Sequence, residues 1–285
     1  MKPENLAKLN FLMELLRPSE NLGRTLAFLL ILLPHQSIAE IYEVLTTAEL
    51  REALVSAALT GGDNIIRLDA GTYSTQSDGQ GVFEYVSAVT GSLTIEGNAD
   101  GGTSLNGAGQ DPVFVTILED SISLSLILSD LTIENARSSK YVGGAGISLD
   151  AQTKLVSMSR MKFRSNSALF SCGAAVNVDG LQSKLTITDS EFTGNEASTG
   201  GAICANSLII KNSIFRNNTA VSMGGALSKS GYGDDVIMGS IFDGNSATVG
   251  GVWRKFCVGR TVVKGNIFSN NSASASLPSN GISYT

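Results

Sequence analysis

One six-residue pattern, Phe-x-x-Asn-x-Ala, constrains this chain more than any other feature. It occurs at Phe163/Asn166/Ala168, Phe192/Asn195/Ala197, Phe215/Asn218/Ala220, Phe242/Asn245/Ala247 and Phe268/Asn271/Ala273. The intervals between successive Phe residues are 29, 23, 27 and 26. Four of the five copies are followed by a small-residue step: Cys172-Gly173-Ala174, Gly200-Gly201-Ala202, Gly224-Gly225-Ala226 and Gly250-Gly251-Val252. Short aliphatic or β-branched runs precede most of them, as in Leu185-Thr186-Ile187-Thr188 and Leu208-Ile209-Ile210. A period of this length marks stacked repeats, in which one unit cannot bury its apolar face alone.

Helical repeats of this period need two helices of ten or more good helix formers. These units offer apolar runs of three to five residues between Gly, Asn, Ser and Asp clusters, which read as short strands with sharp corners. The expected fold is therefore all-β: a right-handed parallel β-helix of about eight or nine coils with an N-terminal capping helix, a rod on the order of 40 Å long at the strand spacing. The repeated Phe should stack inside. The Asn should sit at a corner, its amide bonding the equivalent amides above and below. Ala and the Gly pair should be small because the backbone turns tightly against the core.

Phe-x-x-Asn combined with Gly-Gly-Ala-Ile/Leu resembles the paired signature of the polymorphic outer-membrane-protein repeat family. The matches are Phe192-Thr193-Gly194-Asn195 with Gly200-Gly201-Ala202-Ile203, and Phe215-Arg216-Asn217-Asn218 with Gly224-Gly225-Ala226-Leu227. The resemblance covers residues from about 130 to 273. It implies the β-helical passenger of an autotransporter, often an adhesin, and hence a secreted or outer-membrane, cell-surface location. Family members end in a membrane β-barrel. This sequence has no such segment, so a barrel or anchor would have to be supplied in trans.

The N-terminus divides into three stretches. Leu26 to Leu33 is an apolar block preceded by Arg24 and followed by Ser37-Ile38-Ala39, which reads as a signal peptide over 1–39. Residues 40–62 read as the capping segment: Thr46-x-x-Glu49 fits a capping box, Leu50, Leu54, Ala57 and Ala58 share a face, and Gly61-Gly62 stops the helix. Such a helix shields a stack whose bare edge would invite pairing with other chains. The β-helix itself is expected over 63–285. Leu93-Thr94-Ile95-Glu96-Gly97-Asn98 and Leu131-Thr132-Ile133-Glu134-Asn135-Ala136 look like further copies of strand then corner. The C-terminus carries no cap signal, so the last coil is expected bare or shielded by a partner.

Charge and chemistry narrow the function. Without the four basic and three acidic residues of 1–39, 16 Lys/Arg and 23 Asp/Glu leave a balance of −7. That argues against nucleic acid, whose phosphates call for clustered cations. The one histidine, His35, lies in the proposed signal, which removes His triads and His metal sites from the mature chain. Glycosidase chemistry needs two carboxyls facing one groove. Asp234-Asp235, in a Gly-rich connection, reads instead as a solvated turn. A lyase would place Arg beside calcium-binding carboxylates. Arg164 and Arg216 should point outward, and Arg254 and Arg260 lie near Asp243, but no Asp cluster recurs with them. Cys172 takes the place of the first Gly in its step, and Cys204 falls elsewhere in its coil. With Cys257 they read as three buried thiols, one disulfide plus a free thiol being the alternative. Trp253 is expected in the core. No catalytic residue, cofactor or metal ligand is assigned. The sequence points to adhesion or surface interaction with a host cell or glycan, the alternative being a polysaccharide-active lyase or hydrolase, or a carbohydrate-binding β-helix.

Overall fold

The computed structural model describes residues 39–138, 143–180, 182–229, 231–255 and 259–275, together with the backbone of strand Ile282–Tyr284. All of the proposed signal peptide but Ala39, including His35, and Cys257 lie outside them. The chain is a right-handed parallel β-helix whose windings stack into four sheets. Sheet I has nine strands, from Ile41–Val44 through Gly62–Leu68 to Thr261–Lys264. Sheet II has eight, from Gly71–Ser74 to Ile267–Ser269. Sheet III has five, from Ser167–Cys172 to Ser272–Ala273. Sheet IV runs from Phe83–Ser87 to Trp253–Lys255 and ends on the added strand Ile282–Tyr284. About seven windings are complete, against the eight or nine expected. The first strand of sheet I, Ile41–Val44, precedes the helix and belongs to no complete winding, and the last winding, from Thr261, carries no parallel sheet IV strand among the described residues.

The repeat registers one copy on the next. Phe163, Phe192, Phe215, Phe242 and Phe268 are paired in sheet II. Their rings are 4.8, 4.6, 4.9 and 5.2 Å apart and within 9° of parallel. The column continues downward as Ile133, Leu105 and Tyr73, all buried. Asn166, Asn195 and Asn218 are fully buried one residue past a left-handed corner, at Ser165, Gly194 and Asn217. Asn195 and Asn218 use every hydrogen-bonding position of the amide, and Asn166 uses three. Asn195 Nδ2 donates to Phe163 O (3.2 Å) and to Asn218 Oδ1 (2.9 Å), while its Oδ1 accepts from the backbone N–H (3.2 Å) and Nδ2 (2.9 Å) of Asn166. A second ladder lies at the corner between sheets I and II, where Ser190 Oγ accepts from Met161 N, Ser213 Oγ from Ser190 N, and Ser240 Oγ from Ser213 N.

The Gly step closes the corner between sheets III and IV. Gly200 adopts φ +59°, and a Cβ on Gly201 would sit inside the carbonyl oxygen of Gly225 in the next winding. Here the sequence reading of the cysteines needs correction. Cys172 registers with Thr199, and the left-handed residue is Gly173 (φ +65°), so Cys172 precedes the step rather than opening it. From that position its side chain reaches the adjacent sheet IV strand of the next winding, and Cys172 and Cys204 form a disulfide with Cα atoms 5.6 Å apart. Closing that loop of 32 residues is worth about 4 kcal/mol in the chain-entropy account.

At the N-terminal end, the helix Thr47–Thr60 forms with the expected capping box: Glu49 N donates to Thr46 Oγ1 (3.2 Å) and Thr46 N to Glu49 Oε2 (3.1 Å). It buries Leu50, Ala53, Leu54, Ala57 and Ala58 over the first strands. The buried Asn64 amide ties its C-terminus down through Ala57 O (3.0 Å) and Gly61 O (2.8 Å). At the other end, Phe268 remains 37% exposed. This end is not wholly bare, because Ile282–Tyr284 pairs antiparallel with Trp253–Lys255 and covers the edge of sheet IV. Trp253 is buried, as expected.

The ladder sets a stability test. Asn218→Ala strands Phe192 O and removes the acceptor for two N–H donors of Asn195 in a dry corner. A loss of about 3 kcal/mol or more is expected in urea denaturation. Asn271→Ala, at the partly buried end where water can substitute, should cost no more than about 1 kcal/mol.

Candidate functional site

Because the strands alternate inward and outward residues, the outer positions of sheets II and III line up as rows along the rod. One row is Arg164, Thr193, Arg216, Asp243 and Ser269. Across the corner runs a second: Ser167, Glu196, Thr219, Ser246 and Ser272. Beside the second row, Thr219, Val221, Ser246, Thr248, Ser272 and Ser274 line a shallow open trough of about 330 Å³. The result is a polar strip of mixed charge with hydroxyls throughout.

Two charged members of the strip are engaged by neighbouring side chains. Arg164 Nη2 lies 3.9 Å from Glu191 Oε2. Asp243 Oδ1 accepts from Ser269 Oγ (2.8 Å) and Asn270 Nδ2 (2.8 Å). The Ser269 hydroxyl first and the Asn270 amide second hold the Asp243 carboxyl below its usual range, with the nearby Arg216 charge adding to the effect. Arg164 and Arg216 face outward as expected. Arg254 and Arg260 do not gather at Asp243. Arg254 is largely buried on sheet IV, and Arg260 N donates to Asp234 Oδ1 (2.8 Å), whereas Asp243 belongs to sheet II.

The Asp234-Asp235 pair is not the solvated turn expected. Asp234 is exposed, but Asp235 opens a sheet I strand and is fully buried. Its Oδ2 meets Lys229 Nζ at 2.7 Å and Lys255 Nζ at 3.4 Å, and its Oδ1 accepts from Leu208 N (3.1 Å). The two lysines repeat one device a winding apart. Lys229 Nζ also donates to Gly233 O, and Lys255 Nζ donates to Gly259 O (2.7 Å) and Thr261 Oγ1 (2.8 Å). Each clamps the connection from sheet IV to sheet I, with its ammonium group committed to protein atoms and closed to solvent. The common spacing, Lys-x3-Gly-x-Asp/Thr, was present in the sequence as a signal. Among the described residues, no group of three His, Cys, Asp or Glu side chains could hold a metal ion, and no helix is long and apolar enough to cross a membrane.

No protein-family model matches this chain, and no curated protein matches it. Among solved structures, it is similar to a mannuronic-acid-specific polysaccharide family 6 lyase from human gut microbiota, with a TM-score of 0.38 and 10% identity over 81% of this chain and 59% of that one. A mutant of the PL6-family alginate lyase AlyGC gives a TM-score of 0.36 and 13% identity over 81% of this chain and 35% of the other. The chain thus spans less than two thirds of either structure, and likeness this distant carries no functional argument.

Two measurements check this geometry. Asp235→Ala leaves two buried ammonium groups without their carboxylate and should cost about 3–5 kcal/mol in denaturation. Asp243, with its folded value depressed, should stay ionised as pH falls below the usual carboxylate range and lose its partners' hold only on passing the lowered folded value. Ser269→Ala should move its titration, followed by NMR, back up toward the ordinary value.

Proposed function

We propose that the protein is an extracytoplasmic β-helix that works by recognition, holding an extended glycan along the edge where sheets II and III meet. The observation that carries this reading is the strip itself: Arg216, Asp243, Thr219, Ser246, Ser269 and Ser272 present donors, acceptors and both signs of charge at the strand repeat of about 4.8 Å. A polymer of hydroxyl-rich rings can satisfy such rows unit by unit, without a deep pocket. A polyphosphate chain would want clustered cations, which the strip does not offer.

Other observations favour display outside the cytoplasm. The Cys172–Cys204 disulfide suits an oxidising compartment, and the 1–39 segment reads as an export signal. The resemblance of the Phe-x-x-Asn and Gly-Gly-Ala steps to polymorphic outer-membrane-protein repeats supports a surface-displayed, adhesin-like passenger. Recognition is preferred over catalysis because the buried Lys229–Asp235–Lys255 cluster is sealed and the Asp243 carboxylate of the strip is engaged by Ser269 and Asn270, which leaves Glu196 with no second carboxylate free to work beside it.

The test is a glycan and host-surface binding screen run beside pectin and alginate depolymerisation assays. The expected outcome is glycan binding without depolymerisation, weakened about tenfold or more in an Arg216→Ala/Asp243→Ala variant that keeps its circular dichroism. Cleavage of either polymer would reverse the ranking in favour of a polysaccharide-active enzyme. A wild-type protein that binds no glycan would reject the reading.

A further inference from the structure

Sheet III is where the backbone departs from its own repeat. Between the registered pairs Ala197↔Ala220 and Thr199↔Met223, one winding has a single residue, Ser198, and the next has two, Val221 and Ser222. Between Ala247 and Val249 there is again one, Thr248. Between Ala168 and Cys172, which register with Ala197 and Thr199, there are three: Leu169, Phe170 and Ser171. The two additional residues have no counterpart in the neighbouring strand, so they project from the sheet as a bulge. At its crest Phe170 is 60% exposed. The bulge is fixed at both ends. Ala168 is locked in the core column, and Cys172 is bonded to Cys204 of the next winding.

We propose that Phe170 is an aromatic platform for the glycan held by the strip, and that the Cys172–Cys204 disulfide keeps it in place, making binding sensitive to the redox state of that bond. This inference rests on the reading of the strip given above. The occupant follows from continuity. The bulge shares sheet III with the hydroxyl row Ser167, Glu196, Thr219, Ser246 and Ser272, so a chain lying along that row reaches Phe170 at its end. A pyranose ring has an apolar C–H face and a polar hydroxyl rim. The apolar face suits an aromatic ring, and the rim suits the Ser and Thr rows. A rigid aromatic with few torsions binds at low entropic cost, provided its backbone is already held. Here the disulfide adds a covalent tie to the backbone bonds that Gly173 N makes to Thr199 O and Gly200 O. Reduction would remove the covalent part of that anchor and leave the C-terminal end of residues 169–171 held only by those backbone bonds.

The test measures affinity of the full chain for the glycan that the wild type binds, by titration under oxidising conditions and after reduction. Phe170→Ala should bind about fivefold to tenfold more weakly, the scale of one aromatic contact, with an unchanged denaturation midpoint. Phe170→Trp should stay within about twofold of the wild type. Reduction, or Cys204→Ser, should weaken the wild type to a similar degree and have no added effect on Phe170→Ala, which a general loosening of the rod would not produce. If Phe170→Ala binds as the wild type does while Arg216→Ala/Asp243→Ala does not, the platform is wrong and the strip stands. If reduction weakens Phe170→Ala as much as the wild type, the redox link is wrong. If the wild type binds no glycan, both the strip and the platform fall.

Discussion

Every winding must turn its chain sharply beside a dry core, and the turn leaves a carbonyl and amide groups with no strand partner. The Asn column answers that constraint. A carboxamide has two donors and an acceptor with two lone pairs, and all four bonds are made at Asn195, Asn218 and Asn245, inside the two ends of the ladder. Nδ2 donates to the Phe carbonyl of the winding before and to the Asn Oδ1 of the winding after. Oδ1 accepts the backbone N–H and Nδ2 of the preceding Asn. Asp would bring no donor and a buried charge, and Ser would supply one donor where two are required. The ladder also makes the windings interdependent, since each amide is satisfied only if the next is in register.

This explains which parts of the fold could be read in the sequence. Where the corner demands an amide and the column below it an aromatic, every winding shows the same two residues, and the period is visible from Phe163 to Asn271. Toward the N-terminus the same column is filled by Ile133, Leu105 and Tyr73, which share only size and apolarity. At Ala136 the amide is absent, and its backbone N–H becomes the first donor to the ladder, bonding Asn166 Oδ1 at 3.1 Å. Apolar runs there look alike without being equivalent. Thr132–Glu134 lies in sheet II under Lys162–Arg164, whereas the similar Leu93–Ile95 stretch belongs to sheet I and lies under Leu126–Leu128. Counting coils from such runs overstates the number of complete windings.

One of the remaining differences comes from a one-residue offset. Reading Cys172 as the first residue of the Gly step displaced it by one position, enough to point it away from Cys204. Register is set by the left-handed Gly173, not by the first small residue. The Ser column two residues ahead of Phe192, Phe215 and Phe242 was equally periodic, but Ser is so common in turns that three occurrences did not stand out. The lysine clamp was hidden for a different reason. A Lys beside a Gly-rich connection is ordinarily solvated, and only the fold shows that Asp235 and Gly233 O enclose Lys229 while Asp235, Gly259 O and Thr261 Oγ1 enclose Lys255.

A stacked architecture separates what must repeat from what can vary. Inside, Phe215 and Asn218 are dictated by the winding below, and a change at one level is felt at the next. Outside, the adjoining row passes through Arg164, Thr193, Arg216, Asp243 and Ser269, five windings with almost no identity in common. Nothing in the stacking requires those residues, so selection on the outer rows can act without cost to the core. The same logic singles out the bulge at 169–171. Two extra residues and a covalent tie to the next winding add nothing that the Phe and Asn columns need, and the neighbouring windings turn the same corner without them. Departures from the repeat on the outer surface are therefore where recognition is to be sought in this protein, and sheet III carries the largest among its registered strands.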